Sequence, residues 1–180
     1  AFRVIGDHIR TLSFAIADGI LPGNTDRNYV LRRILRRAVR YGRVLDQQEP
    51  FLHKLVDVLS ESMAGEFPEL LERKALIQQT IRNEEESFNK TLDRGIELFS
   101  KQVAQMDNGN TLTGEFAFKL YDTYGFPLDL TELMAREAGL SVDTAGFEKF
   151  MKKQRERARA AQKKEVISVS SLSPDVSTRF

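Results

Sequence analysis

Six arginines, Arg32, Arg33, Arg36, Arg37, Arg40 and Arg43, fall in a stretch that holds no acid between Arg27 and Arg43. On an ideal helix they occupy an arc of roughly 140°. Like charges at i,i+4, as in Arg32 with Arg36, repel by roughly 0.2–0.5 kcal/mol per pair, so an unpartnered face of this kind implies a partner. Arginine without lysine favours planar, bidentate contacts with phosphate or carboxylate. Phosphate binding outweighs the rival in which acids such as Glu84 to Glu86 neutralise some of the guanidiniums inside the fold, and a mixture is expected.

Other positions carry weaker signals. Asn24 sits in a loop just before the arginine helix, at that helix's positive end, and its amide offers both a donor and an acceptor to a base edge. A turn or capping role outweighs this on the residues alone. Asp122, among aromatics at the end of a short helix, gains nothing from the dipole and needs a donor, an exocyclic amine or, with more weight, an arginine. Lys152, Lys153, Arg155, Arg157, Arg159, Lys163 and Lys164 crowd the last helix, where tracking a phosphate backbone and a solvated face weigh equally. Asp7 beside His8 fits a helix surface or core better than acid–base chemistry, because adjacent helical residues point about 100° apart. No nucleophile stands with a base and no glycine-rich phosphate loop is present, so no catalytic residue is assigned.

The elements that must position these groups are helical. Apolar residues at Val4, Ile5, Ile9, Leu12 and Ile16, with Gly19 beyond, predict a first helix over 2–17. Leu31, Ile34, Leu35 and Ala38 predict a second from 26 or 27 to Tyr41, stopping at Gly42. Pro50 opens a third. Pro68 starts a long spine helix, about residues 69–105, with Ile77, Ile81, Phe88, Leu92, Phe99 and Val103 in one stripe, interrupted at Glu84 and Glu85. A short helix over 114–124 ends at Gly125-Phe126-Pro127. Asp129 with Glu132 reads as a capping pair for a helix closed by Gly139, and Asp143 caps the last, 144 to about 164. Only 166–172 comes near period-two alternation. The expected fold class is all-α.

The 180 residues are 41% hydrophobic, enough to bury a core. With no cysteine and only His8 and His53, which lie far apart, disulfides and thiolate sites are excluded and no metal site is assigned. No apolar run approaches the roughly 20 residues of a membrane helix and there is no signal-peptide pattern, so no membrane partner and a cytoplasmic location are expected. The net charge of +1 hides a segregation. Residues 1–43 hold nine Arg and three Asp, or +6, and the remainder holds 18 bases and 23 acids, or −5. A basic face on an acidic background is the footprint of a polyanion binder. The first residue and the polar stretch 168–180 make the chain read as a piece of a longer protein.

Three stretches carry a resemblance. Arg3-Val4-Ile5-Gly6-Asp7-His8-Ile9-Arg10 with Ile16-Ala17-Asp18-Gly19, then Tyr29-Val30-Leu31-Arg32-Arg33-Ile34-Leu35-Arg36-Arg37-Ala38, and Phe116-Ala117-Phe118-Lys119-Leu120-Tyr121-Asp122-Thr123-Tyr124-Gly125-Phe126-Pro127 resemble alanyl-tRNA synthetases. Gly146-Phe147 and Gln154-Arg155 in the final helix fit the same family, and the likeness covers about residues 1–165. It implies a class II alanine–tRNA ligase region between the catalytic core and the editing domain, which binds the tRNA(Ala) acceptor stem and recognises its G·U wobble pair. Asn24 and Asp122 match the pair that reads the wobble, which overturns the bland readings of both. Residues 1–164 would form the recognition domain and 165–180 the connector to the editing domain. The resemblance implies ATP, Mg and Zn for the whole enzyme and no cofactor here. Gly23 and Asn28 depart from the pattern, standing where a serine and a glycine are expected. The rival from another class is a helical oligomerisation module built on the spine stripe.

Overall fold

A computed structural model describes residues 1–106 and 109–164, with side chains to residue 160. The spans 165–180, proposed as a connector, and 166–172 lie outside the described residues.

Among the described residues the fold is all-α, with eight α-helices and one two-residue pair of parallel strands. Helix α1 (Phe2–Ala17) lies on α2 (Asp26–Val44), and both pack against α5 (Lys74–Ala104). A 3-10 turn (Leu52–Lys54), α3 (Leu55–Met63) and α4 (Glu69–Glu72) close one end. The strands β1 (Thr111–Leu112) and β2 (Ser141–Val142) bracket α6 (Gly114–Tyr124) and α7 (Leu128–Glu137), and α8 (Thr144–Lys164) packs on α6.

One core runs through the elements. Ile5, Ile9, Leu12 and Ile16 of α1 meet Leu31, Leu35 and Ala38 of α2, with Ile77, Ile81, Phe88 and Leu92 of α5 beneath them. The α5 stripe is therefore spent inside the fold and is not a free face for a second copy. Glu85, which interrupts it, is fully buried and accepts from the backbone N–H of Phe51 at 2.9 Å and of Leu52 at 3.2 and 3.3 Å. Burial raises its carboxyl above the usual range, against those two hydrogen bonds, which favour the ionised form.

Four boundaries depart from expectation. Gly42 does not stop α2; the ring of Phe51 lies where a Cβ would stand, so Gly42 serves close packing inside the helix. The long spine is broken at Arg73 (φ −105°, ψ 10°), where the hydroxyl of Ser60 donates to the carbonyl of Leu70 at 3.4 Å. Asp129 is not a cap: α7 begins at Leu128 after Pro127, and the Asp129 carboxylate is taken by arginines of α2. The β1–β2 pair, with Thr111 opposite Ser141, has no period-two signal because two residues are too few to alternate. Gly125 holds the left-handed conformation at the end of α6 (φ 71°), and Asp143 caps α8 by accepting from Gly146 N at 2.8 Å.

Candidate functional site

The loop before α2 is tied down by Gly23 N, which donates to the carbonyl of Asn28 at 2.9 Å. The two positions that depart from the family pattern touch: a Cβ on residue 23 would collide with the Asn28 side chain. Losing the side chain at one makes room for the larger group at the other. This loop presents Asn24, whose Oδ1 accepts from Arg32. With its oxygen engaged, the amide nitrogen of Asn24 remains to donate.

Asp122 arrives from α6, nearly a hundred residues later. Its Oδ1 accepts from the Gln154 amide of α8, which leaves Oδ2 as an acceptor. Asn24 and Asp122 line the same cavity of about 430 Å³, with Tyr29, Tyr121, Gln154 and the guanidiniums of Arg32 and Arg36. Burial, and next the neighbouring Tyr121, raise the Tyr29 phenol above its ordinary value, so it stays protonated. The walls thus offer an amide donor, a carboxylate acceptor and two phenols, which is equipment for binding a polar edge.

Arg36 fixes the geometry. Its Nε and Nη2 donate to Glu84 Oε1 at 2.8 and 2.6 Å, its Nη1 donates to the carbonyl of Gly125, and its guanidinium lies 5.0 Å from the Phe88 ring centroid. One side chain therefore joins α2, α5 and the α6–α7 turn that follows Asp122. Thr91 of α5 adds a second tie by donating to the carbonyl of Tyr124 at 2.8 Å.

Acids from α5 and α7 fold onto the arginine face, Glu84 among them as the internal-pairing reading has it. Arg32 and Arg36 share Glu84, Arg33 and Arg37 share Asp129 at 2.8 and 2.7 Å, Arg40 meets Glu137, and Arg43 meets Asp93 at 2.8 Å. Six cations against these four carboxylates leave +2, one at each shared acid. Exposure separates them: the side chains of Arg33 and Arg37 keep 38% and 35% of their surface, against 10–21% for the other four. Asp7, expected on a helix surface, pairs there with Arg10 at 2.7 Å, and His8 is lowered by burial and next by Arg37.

Gln154 and the Gly125 carbonyl carry no site role in the sequence reading, where they stand only within stretches that resemble the family. Gln154 was detectable as a polar group on the α8 face that also carries Phe147, Phe150 and Met151. The backbone acceptor left no signal.

A family model described as tRNA synthetases class II (A) matches residues 1–177. The chain is 59% identical over its whole length to the alanine–tRNA ligase of Akkermansia muciniphila, of which it covers 19%. It is 56% identical over 91% of its length to that of Chlorobaculum tepidum and 53% identical over 90% to that of Bacillus cytotoxicus, again covering 19% of each. The chain thus spans about a fifth of the length of these curated relatives.

Proposed function

From the premise that this chain belongs to the tRNA synthetases of class II (A), we propose that it is the part of an alanine–tRNA ligase that binds the tRNA(Ala) acceptor stem and reads its G·U wobble pair. The single observation that carries the reading is the shared cavity: Asn24 and Asp122 come from distant segments and meet with opposite hydrogen-bonding polarity. A wobble pair leaves the guanine exocyclic amine free, and A-form RNA displays it in a wide, shallow minor groove that short side chains reach. Asp122 Oδ2 accepts from that amine. The Asn24 amide donates to an acceptor on the same base step.

Residues 1–164 act as the recognition domain, and alanine activation with ATP takes place elsewhere on the polypeptide, beside an editing domain, in the cytoplasm. Among the described residues no three His, Cys, Asp or Glu side chains are grouped so as to hold a metal ion. Nor is any helix among them long and apolar enough to cross a membrane. Arg33 and Arg37, the most exposed of the six, take phosphate oxygens with the charge that Asp129 leaves unbalanced. Arg32, Arg36, Arg40 and Arg43 add to the same field while holding the site together. Phosphate contacts set register, and base contacts set choice.

Titration with acceptor-stem duplexes tests this. Asp122→Ala lowers the preference for G·U over G·C by about 1–3 kcal/mol. An equal loss on both stems rules out its reading role.

A further inference from the structure

The last helix carries a dense group of cations without ion-pair partners among the described residues. Between positions 149 and 159, six bases, Lys149, Lys152, Lys153, Arg155, Arg157 and Arg159, stand with one acid, Glu156. All six are exposed, and among the described residues none lies within ion-pair distance of a carboxylate. On α2, by contrast, every arginine of the basic face is paired. The helix dipole does not explain the crowding, since its effect fades within the last turn, whereas Lys149 to Arg155 sit mid-helix in Thr144–Lys164. Repulsion at Lys149 with Lys153 and at Arg155 with Arg159, relieved by no ion pair among the described residues, favours a polyanionic partner.

The placement says which one. α8 turns Phe147 and Phe150 onto Phe118 of α6, with ring centroids 6.3 and 5.6 Å apart, and puts Gln154 on Asp122. On a neighbouring face Lys152, Arg155 and Arg159 fall within an arc of about 60° and run about 10 Å along the axis. Arg155 lines a second cavity whose walls include Asn24, Tyr29 and Tyr121, all three of them also in the first. The middle of the row, Arg155, therefore borders a cavity that shares three walls with the recognition cavity.

We propose that Lys152, Arg155 and Arg159 form the principal docking surface for the phosphate backbone of the RNA stem whose base step enters the cavity. The surface rests on the acceptor-stem reading above and adds to it where the affinity comes from. Because it is one continuous edge, its contacts are independent of which base pair lies in the cavity.

The test uses the full chain and the triple variant Lys152→Gln/Arg155→Gln/Arg159→Gln, with unchanged far-UV circular dichroism as the folding control. Each is titrated with G·U and G·C stem duplexes between about 50 and 200 mM salt. Each phosphate contact contributes about 0.9 to the slope of log affinity on log salt, so three contacts make the wild type about 40-fold more salt-sensitive than the variant over this range. The ratio of G·U to G·C affinity should stay as in the wild type. A variant that keeps the wild-type slope, while the wild type still prefers G·U, overturns the surface and leaves the wobble reading standing. A slope lost in the variant with no stem preference in the wild type keeps the surface and refutes the wobble reading. Equal loss of binding to phosphatidylserine vesicles, with stem affinity unchanged, identifies a membrane surface instead and overturns the proposal.

Discussion

Replacing Arg36 by methionine removes the charge and keeps the aliphatic stem against Phe88. The guanidinium and its Glu84 partner expose only 15% and 11% of their side chains, so the pair is poorly screened by solvent. Losing one member of such a pair costs about 3–5 kcal/mol, because the other charge stays buried. Two circumstances bear on this figure. Glu84 keeps Arg32, whose Nε lies 3.1 Å away, which lowers the cost; the Gly125 carbonyl loses its donor, which raises it. The expected loss is about 3 kcal/mol. In urea, with an m-value of about 2 kcal/mol/M, the midpoint falls by about 1.5 M and m is unchanged. The exposed pair Arg10–Asp7, at 55% and 58%, is the control: Arg10→Met costs under about 0.5 kcal/mol. If Arg36→Met shifts the midpoint no more than Arg10→Met does, the claim that this guanidinium holds α2, α5 and the α6–α7 turn together is wrong.

Gly125→Ala forces a left-handed backbone on alanine and drives its Cβ into the Arg36 guanidinium, so thermal unfolding should show a loss greater than the roughly 1–2 kcal/mol expected at Gly139, where φ is also positive but no atom stands in the way. Gly23→Ser overpacks against Asn28 and costs about 1–3 kcal/mol, and adding Asn28→Gly should restore stability; additive losses in the double-mutant cycle would contradict the coupling. His8 titrates below its ordinary value in the folded chain, so as pH falls through about 6.5 the unfolded state binds a proton that the folded state resists. Stability present at pH 7.5 is lost on acidification, and His8→Gln should flatten the denaturation midpoint against pH over that window.

Helix content and the buried stripes were legible in sequence because amphipathic periodicity is local: Ile5, Ile9, Leu12 and Ile16 declare their face wherever α1 ends up. Boundaries set by distant packing were not. Gly42 reads as a stop until Phe51 is known to rest on it, and nothing near Arg73 announces that Ser60 will reach the carbonyl of Leu70. The partners of the arginine face were legible only in part: Glu84 stands in the break of the α5 stripe, whereas Asp129, Glu137 and Asp93 lie between 50 and 97 positions from their partners. Of the candidate site, Asn24 and Asp122 emerged through resemblance; their surroundings favoured turn and ion-pair roles. Asp122 meets Gln154 rather than an arginine, a contact that only the packing of α8 on α6 creates.

The most direct test removes the atom that Asp122 is held to read. Replacing the wobble guanine by inosine deletes the exocyclic amine and leaves the rest of the base step in place. The wild-type chain should bind the I·U stem about 1–3 kcal/mol more weakly than G·U, and Asp122→Ala should bind the two alike. If Asp122→Ala still prefers guanine over inosine by the full wild-type margin, the amine is read by another group and the assignment of this cavity fails.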